Sequence, residues 1–368
     1  MSRDNLPKDW KKVKLGEIAE ILMGQSPSSK FYNNEGIGLP FLQGNRTFGY
    51  KYPEIDTYCS NPLKVANKGD ILFSVRAPVG EINIAHTTVC IGRGLAALKA
   101  KNGNNTFLFY LLHYLKNEIL NAESGTVFGS INKTDLSNLE ACIPFLEEEQ
   151  KAIASVLSSL DDKIDLLHRQ NKTLEQMAET LFRQWFIEEA REDWEEKRLG
   201  DFFPIKTGKK NANFSRPDGK YPFFTCSQEI LHAPAYSFEG NAILLAGNGD
   251  FNIKRYSGKF EAYQRTYVLI PYDEKHFGFL YALMKFFLPE ITGGYQGSVI
   301  NFITKGMIEN FKFLFPPTTN NKDIDKKFFQ LNEIYSKVDA NQSQIRTLEQ
   351  LRDTLLPKLM SGEVGVKF

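Results

Sequence analysis

The stretch from Glu147 to about Phe186 limits what this chain can fold into more than any other. Its apolar residues fall at Leu157, Leu160, Ile164, Leu167, Leu174, Ala178, Leu181 and Trp185, in steps of three and four, with Asn171 in the slot of a further apolar side chain. Such steps make a heptad seam, so the stretch predicts one long helix that needs a helical partner. About 40 residues at ~1.5 Å each make a rod of ~60 Å, longer than a small domain is wide. A second series keeps the same steps near the other end: Leu331, Ile334, Val338, Asn341, Ile345, Leu348, Arg352, Leu355 and Leu359. The two series share a word in phase, Thr173-Leu174-Glu175-Gln176 and Thr347-Leu348-Glu349-Gln350. Each follows a large non-helical region, the mark of a chain built twice.

Shorter words repeat in the same order. Trp10 to Gly16 reads W-K-K-V-K-L-G with Glu17 next, and Trp194 to Gly200 reads W-E-E-K-R-L-G with Asp201 next. Gly24-Gln25-Ser26-Pro27 is matched by Thr207-Gly208-Lys209-Lys210, and Gly129-Ser130-Ile131-Asn132 by Gly297-Ser298-Val299-Ile300-Asn301. Ile143-Pro144 and Phe315-Pro316-Pro317 each close a unit just ahead of its helix. Within the units, β-branched and aromatic runs alternate with Gly, Asn and Pro turns, which favours sheet with a few helices. The expected division is a first globular unit at 1–145, a central helix at 146–190, a second unit at 191–317, and a distal helix with tail at 318–368. The seam asparagines Asn171 and Asn341 either fix register or merely mark imperfect heptads.

Composition excludes several classes. The chain is 42% hydrophobic and 24% charged, an ordinary soluble composition. No apolar run reaches the ~20 residues that span a bilayer, and residues 1–12 lack an apolar signal region. Cys59, Cys90, Cys142 and Cys226 form no CxxC pair, so they read as reduced thiols and point to the cytoplasm. The formal charge of +1 is unevenly placed: the first long helix is acidic, with Glu147 to Glu149, Asp161, Asp162, Asp165, Glu175, Glu179, Glu188 and Glu189, a run of the kind that is usually solvated surface, while Lys206, Lys209, Lys210, Lys254 and Arg255 are basic. A near-neutral chain can still bind nucleic acid through one basic face.

Catalytic words are missing. Asn61-Pro62-Leu63 and Phe315-Pro316-Pro317-Thr318 fail the Asn/Asp-Pro-Pro-aromatic loop of an adenine methyltransferase. Gly208-Lys209-Lys210 lacks the Ser or Thr of a P-loop, and Gly92-Arg93-Gly94 lacks the third glycine of a dinucleotide site. His86, His113, His168, His232 and His276 have no metal-ligand spacing.

Taken in order, the chain resembles the specificity (S) subunit of type I restriction–modification enzymes. The resemblance rests on the two Trp-to-Gly words, on Phe73-Ser74-Val75-Arg76-Ala77-Pro78-Val79-Gly80, and on Gly219-Lys220-Tyr221-Pro222-Phe223-Phe224. It also rests on Ile143-Pro144 leading through Glu149-Gln150-Lys151-Ala152-Ile153, on Leu181-Phe182-Arg183-Gln184-Trp185-Phe186, and on Leu355-Leu356-Pro357-Lys358-Leu359-Met360-Ser361-Gly362. It implies an α+β fold: two tandem β-rich target recognition domains, each followed by a long helix, the helices pairing as an antiparallel coiled coil with pseudo-two-fold symmetry. It implies a sequence-specific DNA-binding subunit that reads a bipartite double-stranded target and has no catalytic site of its own. The rod would space two reading heads on the order of one to two turns of B-DNA apart, at ~34 Å per turn. Implied partners are methyltransferase (M) subunits, two by pseudo-symmetry, and restriction/translocase (R) subunits. No cofactor is expected in this chain; S-adenosylmethionine belongs to the methyltransferase partner, and ATP and Mg to the restriction partner. The rival reading is a coiled-coil interaction scaffold carrying two protein- or glycan-binding heads.

Base edges are read by Arg or Lys at guanine and by Asn or Gln at adenine, while Ser and Thr contact either base or phosphate. On that chemistry the first unit offers Gln25, Ser26, Gln43, Asn45, Arg46, Thr47, Arg76, Arg93 and Ser130. The second offers Thr225, Ser227, Gln228, Asn248, Asn252, Lys254, Arg255, Gln264, Arg265 and Ser298. Phe182, Trp185, Phe186, Leu355 and Leu359 at the helix ends read either as core, the usual meaning of an aromatic stripe at helical spacing, or as anchors for docking partner subunits, and one surface can be both.

Overall fold

The computed structural model describes residues 7, 9–122, 129–249, 251–293, 303–318 and 321–367. The chain divides into two compact units. One comprises Met1–His168 with Ser343–Phe368, the other Arg169–Gln342. The division falls inside both long helices, because each unit packs against its own half of each helix. The sequence had set each helix apart as a separate piece.

In the first unit the chain runs β1 (Trp10–Lys14), α1 (Leu15–Ile18), β2 (Ala19–Met23), β3 (Tyr32–Asn33), β4 (Leu39–Leu42), β5 (Tyr58–Cys59), β6 (Val65–Ala66) and β7 (Ile71–Ser74). It continues with β8 (Ile82–Ile84), β9 (Val89–Ile91), β10 (Leu95–Ala100), α2 (Asn105–Tyr114), α3 (Lys116–Ala122), α4 (Lys133–Asn138) and β11 (Glu140–Pro144). One sheet has the order β2-β10-β7-β8 and another β3-β5-β4-β9-β6, while β1 pairs antiparallel with β11. Every residue of β7 is buried, which is why Ile71-Leu72-Phe73 reads as an unbroken apolar run. Helix α2 is capped by the Asn104 side chain and buries Phe107 through Leu112 on all sides.

The long helices α5 (Glu147–Arg183) and α9 (Lys322–Met360) flank the second unit in sequence. Between them lie β12 (Glu195–Arg198), β13 (Lys206–Thr207), β14 (Tyr221–Phe224), β15 (Ile230–Ala233), β16 (Phe238–Ala246), β17 (Ile253–Ala262), β18 (Thr266–Leu269), α6 (Phe277–Phe286), α7 (Leu288–Gly293), α8 (Lys305–Glu309) and β19 (Lys312–Phe315). The main sheet has the order β13-β18-β16-β17-β14-β15, and β12 pairs with β19 as β1 does with β11.

The helix pairing is antiparallel within each unit. In the first, Ile164 and Leu167 pack with Ile345 and Leu348. In the second, Ala178, Phe182 and Phe186 share a core with Phe328, Leu331 and Ile334. The two seam asparagines meet: Asn341 Nδ2 donates to Asn171 Oδ1 at 2.9 Å, and Asn171 Nδ2 to the Val338 carbonyl at 3.4 Å. Both are buried, and this register gives each amide a partner, which a shifted register would have to replace. The reading that they fix register is the one the geometry supports.

Two glycines explain a repeated word. A Cβ on Gly24 would lie 2.2 Å from the Gly92 carbonyl oxygen, and one on Gly208 2.0 Å from that of Ala262. Backbone passes too close to backbone there for any side chain.

Candidate DNA-reading edges

In the first unit, backbone bonds gather four segments at one edge. Gly92 N–H donates to the Leu42 carbonyl (2.8 Å), Gly94 to Gln43 (3.1 Å), Val75 to Gly94 (2.9 Å) and Gln25 to Ile91 (3.0 Å). Ile131 N–H then donates to Val75 at 3.1 Å, and Arg76 and Ser130 form a bridge. This brings Gln25, Ser26, Gln43, Arg76, Arg93 and Ser130 together from distant parts of the sequence. Ser26 Oγ donates to Gln43 Oε1 at 3.0 Å and accepts from the Arg93 N–H at 3.1 Å. Asn45, Arg46 and Thr47 form a short helical turn beside them. Arg46 reaches Asp56 at 2.7 Å and, with that hydrogen bond, holds the Asp56 carboxyl below its ordinary value.

The second unit repeats the frame with other side chains. Tyr263 N–H donates to the Phe224 carbonyl (2.9 Å), Gly247 to Arg265 (2.8 Å), Ile303 to Gly247 (3.0 Å) and Gln264 to Lys210 (3.0 Å). Three of these bonds have a counterpart in the first unit, and by them Thr225 to Gln228 stand where Gln43 to Arg46 stand, Arg265 where Gly94 stands, and Gln264 where Arg93 stands. Ser227, Gln228, Gln264 and Arg265 are exposed on this edge, as Gln25, Gln43, Arg46, Arg76 and Arg93 are on the first. Exposed amides beside guanidinium groups are the donor–acceptor set that distinguishes adenine from guanine in a major groove.

Several expected residues have other work. Asn252 Nδ2 donates to the Cys226 carbonyl at 2.7 Å, and the Lys254 ammonium donates to the Ser227 carbonyl at 2.7 Å and to Asn252 Oδ1. Burial holds the Lys254 ammonium below the ordinary lysine value. Asn252 and Lys254 therefore shape the loop that carries Ser227 and Gln228. Asn248 accepts from the Cys226 thiol at 2.9 Å and belongs to the same loop packing, and Thr225 Oγ1 accepts from the Ser227 N–H at 3.2 Å.

Arg255 is a correction. Its side chain is only 7% exposed; it pairs with Asp339 at 2.8 Å and lies 5.0 and 4.7 Å from the ring centroids of Tyr281 and Tyr335. It locks β17 to α9 and presents no guanidinium to a base, since its register on the strand points it at the helix. The helix-end residues take the core side of the alternative their spacing left open. Phe182, Phe186 and Leu359 are buried at 1%, 3% and 2% in the cores of their own units, and Leu355 packs against one of those cores. Trp185 is half-buried with the Lys327 ammonium 5.8 Å over its ring. An aromatic stripe at helical spacing was core here, because each unit covers the helix face that two helices alone leave open. Ser298 lies outside the described residues.

Two features escaped the sequence reading. Lys210 stands where Ser26 stands, which the pairing of Gly24-Gln25-Ser26 with Gly208-Lys209-Lys210 could have signalled. Asp161, counted with the solvated acids, is 5% exposed. Its carboxylate accepts from Tyr50 Oη and Tyr110 Oη, both at 2.7 Å, and from Arg352 Nη1 at 3.0 Å. The phenol of Tyr50 is pushed above its ordinary value by burial and then by the Asp161 charge. Among the described residues no group of three or more His, Cys, Asp or Glu side chains could hold a metal ion, and no helix is long and apolar enough to cross a membrane.

Two tandem α+β units, each with a polar loop edge on the same backbone frame and each gripping a pair of long helices, define a two-headed recognition protein. The chain belongs to the type I restriction modification DNA specificity domain family, whose model matches residues 7–176 and 191–349. It is 29% identical over 423 aligned positions to the type I restriction enzyme MjaIX specificity subunit of Methanocaldococcus jannaschii, covering 98% of this chain and 95% of that one. Another M. jannaschii sequence, carrying the MjaX specificity subunit name, is 47% identical over 174 residues, which is 46% of this chain and 41% of that one. The EcoDI specificity subunit of Escherichia coli is 37% identical over 176 residues, 47% of this chain and 39% of its own. The crystal structure of a type I restriction–modification S subunit from M. genitalium shares the fold, with a TM-score of 0.69, 19% identity and 97% coverage of both chains. The family expected from the sequence words is the family found.

Proposed function

We propose that this chain is a non-catalytic specificity subunit that reads a bipartite DNA target, one half with each unit, and directs adenine methyltransferase and restriction subunits to it. The observation that carries the reading is the duplicated frame with different side chains. The first edge presents Gln25, Gln43, Arg46, Arg76 and Arg93, and the second Lys210, Ser227, Gln228, Gln264 and Arg265. One scaffold with two chemical faces suits two different half-sites. The chemistry of methylation and cleavage is assigned to the partner subunits, with S-adenosylmethionine in the one and ATP and Mg in the other, acting in the cytoplasm on double-stranded DNA. Two methyltransferase subunits match two units.

The test is co-expression with the neighbouring methyltransferase subunit, followed by mapping of modified adenines across the host genome. A split motif that needs both chains, and that loses one half when residues 194–315 are exchanged for another unit, supports the proposal. Absence of new methylation together with salt-insensitive DNA binding by the complex defeats it, because phosphate contacts weaken steeply with salt. It would return the scaffold reading.

A further inference from the structure

We propose that Tyr50 is a positioning residue for DNA reading, docking the hairpin at residues 47–54 onto both long helices and so setting the angle at which Gln43 to Thr47 are presented. The inference rests on the DNA-reading function proposed above. The hairpin closes through Glu54 N–H on the Thr47 carbonyl (2.8 Å), Gly49 N–H on the Tyr52 carbonyl (3.2 Å) and a bridge between Phe48 and Pro53. Its base is therefore continuous with the turn that carries Asn45, Arg46 and Thr47. Its tip carries Tyr50 and Lys51. Tyr50 Oη donates to Asp161 of α5 at 2.7 Å and accepts from Arg352 Nη1 of α9 at 2.7 Å. Lys51 pairs with Asp162, one residue further along α5. On its other side the tip is tied to β8, by Asn83 Nδ2 on the Gly49 carbonyl (2.9 Å) and Ile84 N–H on the Lys51 carbonyl (3.0 Å).

A carboxylate as buried as Asp161 must have partners. Arg352 and Tyr110 already supply two, the second from the core helix α2. The Tyr50 hydroxyl is the partner that comes from the reading hairpin, and it touches both helices at once. Charge-assisted bonds are short and directional, so they hold an angle better than apolar contact does. Rotation of the hairpin about the helices would break the contacts to Asp161, Arg352 and Asp162 together.

The experiment uses the full complex with its methyltransferase subunits and a plasmid library in which the spacing between the mapped half-sites varies one base pair at a time. Tyr50→Phe keeps the ring and removes the hydroxyl; Tyr110→Phe removes a bond to the same carboxylate and leaves the hairpin's contacts in place. Lys51→Ala tests the tip by its second contact. The expected result is that Tyr50→Phe lowers the preference for the native spacing by about tenfold, the change when one charge-assisted bond ceases to favour one orientation. Lys51→Ala moves the preference in the same direction, Tyr110→Phe leaves it at wild type, and the bases read in each half-site stay the same. Equal losses of thermal stability in Tyr50→Phe and Tyr110→Phe with unchanged spacing preference would overturn the inference. So would altered half-site bases at unchanged spacing in Tyr50→Phe, which would make it a reading residue. A wild-type complex that yields no split motif defeats the DNA reading itself and this inference with it, an outcome visible before any variant is made.

Discussion

Replacing Arg255 with Met separates a structural arginine from a base-reading one. The guanidinium is buried between Tyr281 and Tyr335 and pairs with Asp339, whose own side chain is 43% exposed. Methionine keeps most of the stem and its packing but loses the charge. Two cation–π contacts, each worth at least the ~0.5–1 kcal/mol of an exposed site, and a partly solvated ion pair of up to ~1 kcal/mol set the loss at about 2 kcal/mol or more. Asp339 is exposed enough for water to compensate it, and Arg255 Nε is itself buried without a hydrogen-bond partner, so the loss stays well under that of a fully buried pair. For a unit of this size ~2 kcal/mol lowers the melting temperature by roughly 4–8 °C. The assay is thermal denaturation of the complex beside a DNA-binding titration at two salt concentrations. Arg255→Met should melt earlier and keep the wild-type affinity and salt dependence below its transition. Unchanged melting with DNA affinity reduced tenfold would refute the structural assignment and return Arg255 to the reading set.

Three further outcomes are expected. Asn341→Leu alone should cost about 1–3 kcal/mol, because Asn171 is left buried beside an apolar side chain, while Asn171→Leu with Asn341→Leu should recover most of that; denaturant titration of the singles and the double decides it. Gly24→Ala and Gly208→Ala should each disrupt the fold of their own unit, read by limited proteolysis as cleavage confined to that unit, since the added Cβ meets a carbonyl oxygen. His113 has a folded pKa depressed to about 4, chiefly by burial, with Arg352 and Lys116 acting the same way and Asp161 and Glu81 opposing. The unfolded chain therefore binds the proton first, and stability should fall by up to ~3 kcal/mol as pH drops from about 6.5 to about 4. His113→Phe should remove that component of the pH profile.

The repeat and the helices were legible in the residues, because heptads and turn words are local patterns. The seam residues Ile164, Leu167, Asn171, Val338, Asn341 and Ile345 all lie where the three–four steps put them. The two polar edges were half legible. Gln43 and Gln228 were picked by residue type, but which polar side chains share an edge depends on strands β4, β9, β14 and β17, whose pairing no local pattern gives. Arg255 was misread because a basic residue between a turn and a strand looks the same whether its pleat points outward or at a helix. Phe182 and Phe186 stayed open between core and interface, because the helix pair leaves their face uncovered and only the unit folded against it closes it. Asp161 sat one residue from the seam position Leu160 and looked like one more surface acid.

The grips by which the units hold their helices differ in kind. In the shared phase of the two helices, Asp161 occupies the place of Tyr335, and Arg352 that of Ala178. The first unit brings a tyrosine to a carboxylate and an arginine on the helices; the second brings an arginine to a tyrosine and an aspartate. A gene conversion that copied the first unit over the second would set Tyr50 beside Tyr335 and Ala178, where it finds neither the carboxylate nor the guanidinium that hold it in its own place. New specificities can thus spread by exchange at the same position among relatives, whereas exchange between positions within one gene must carry its helix residues along.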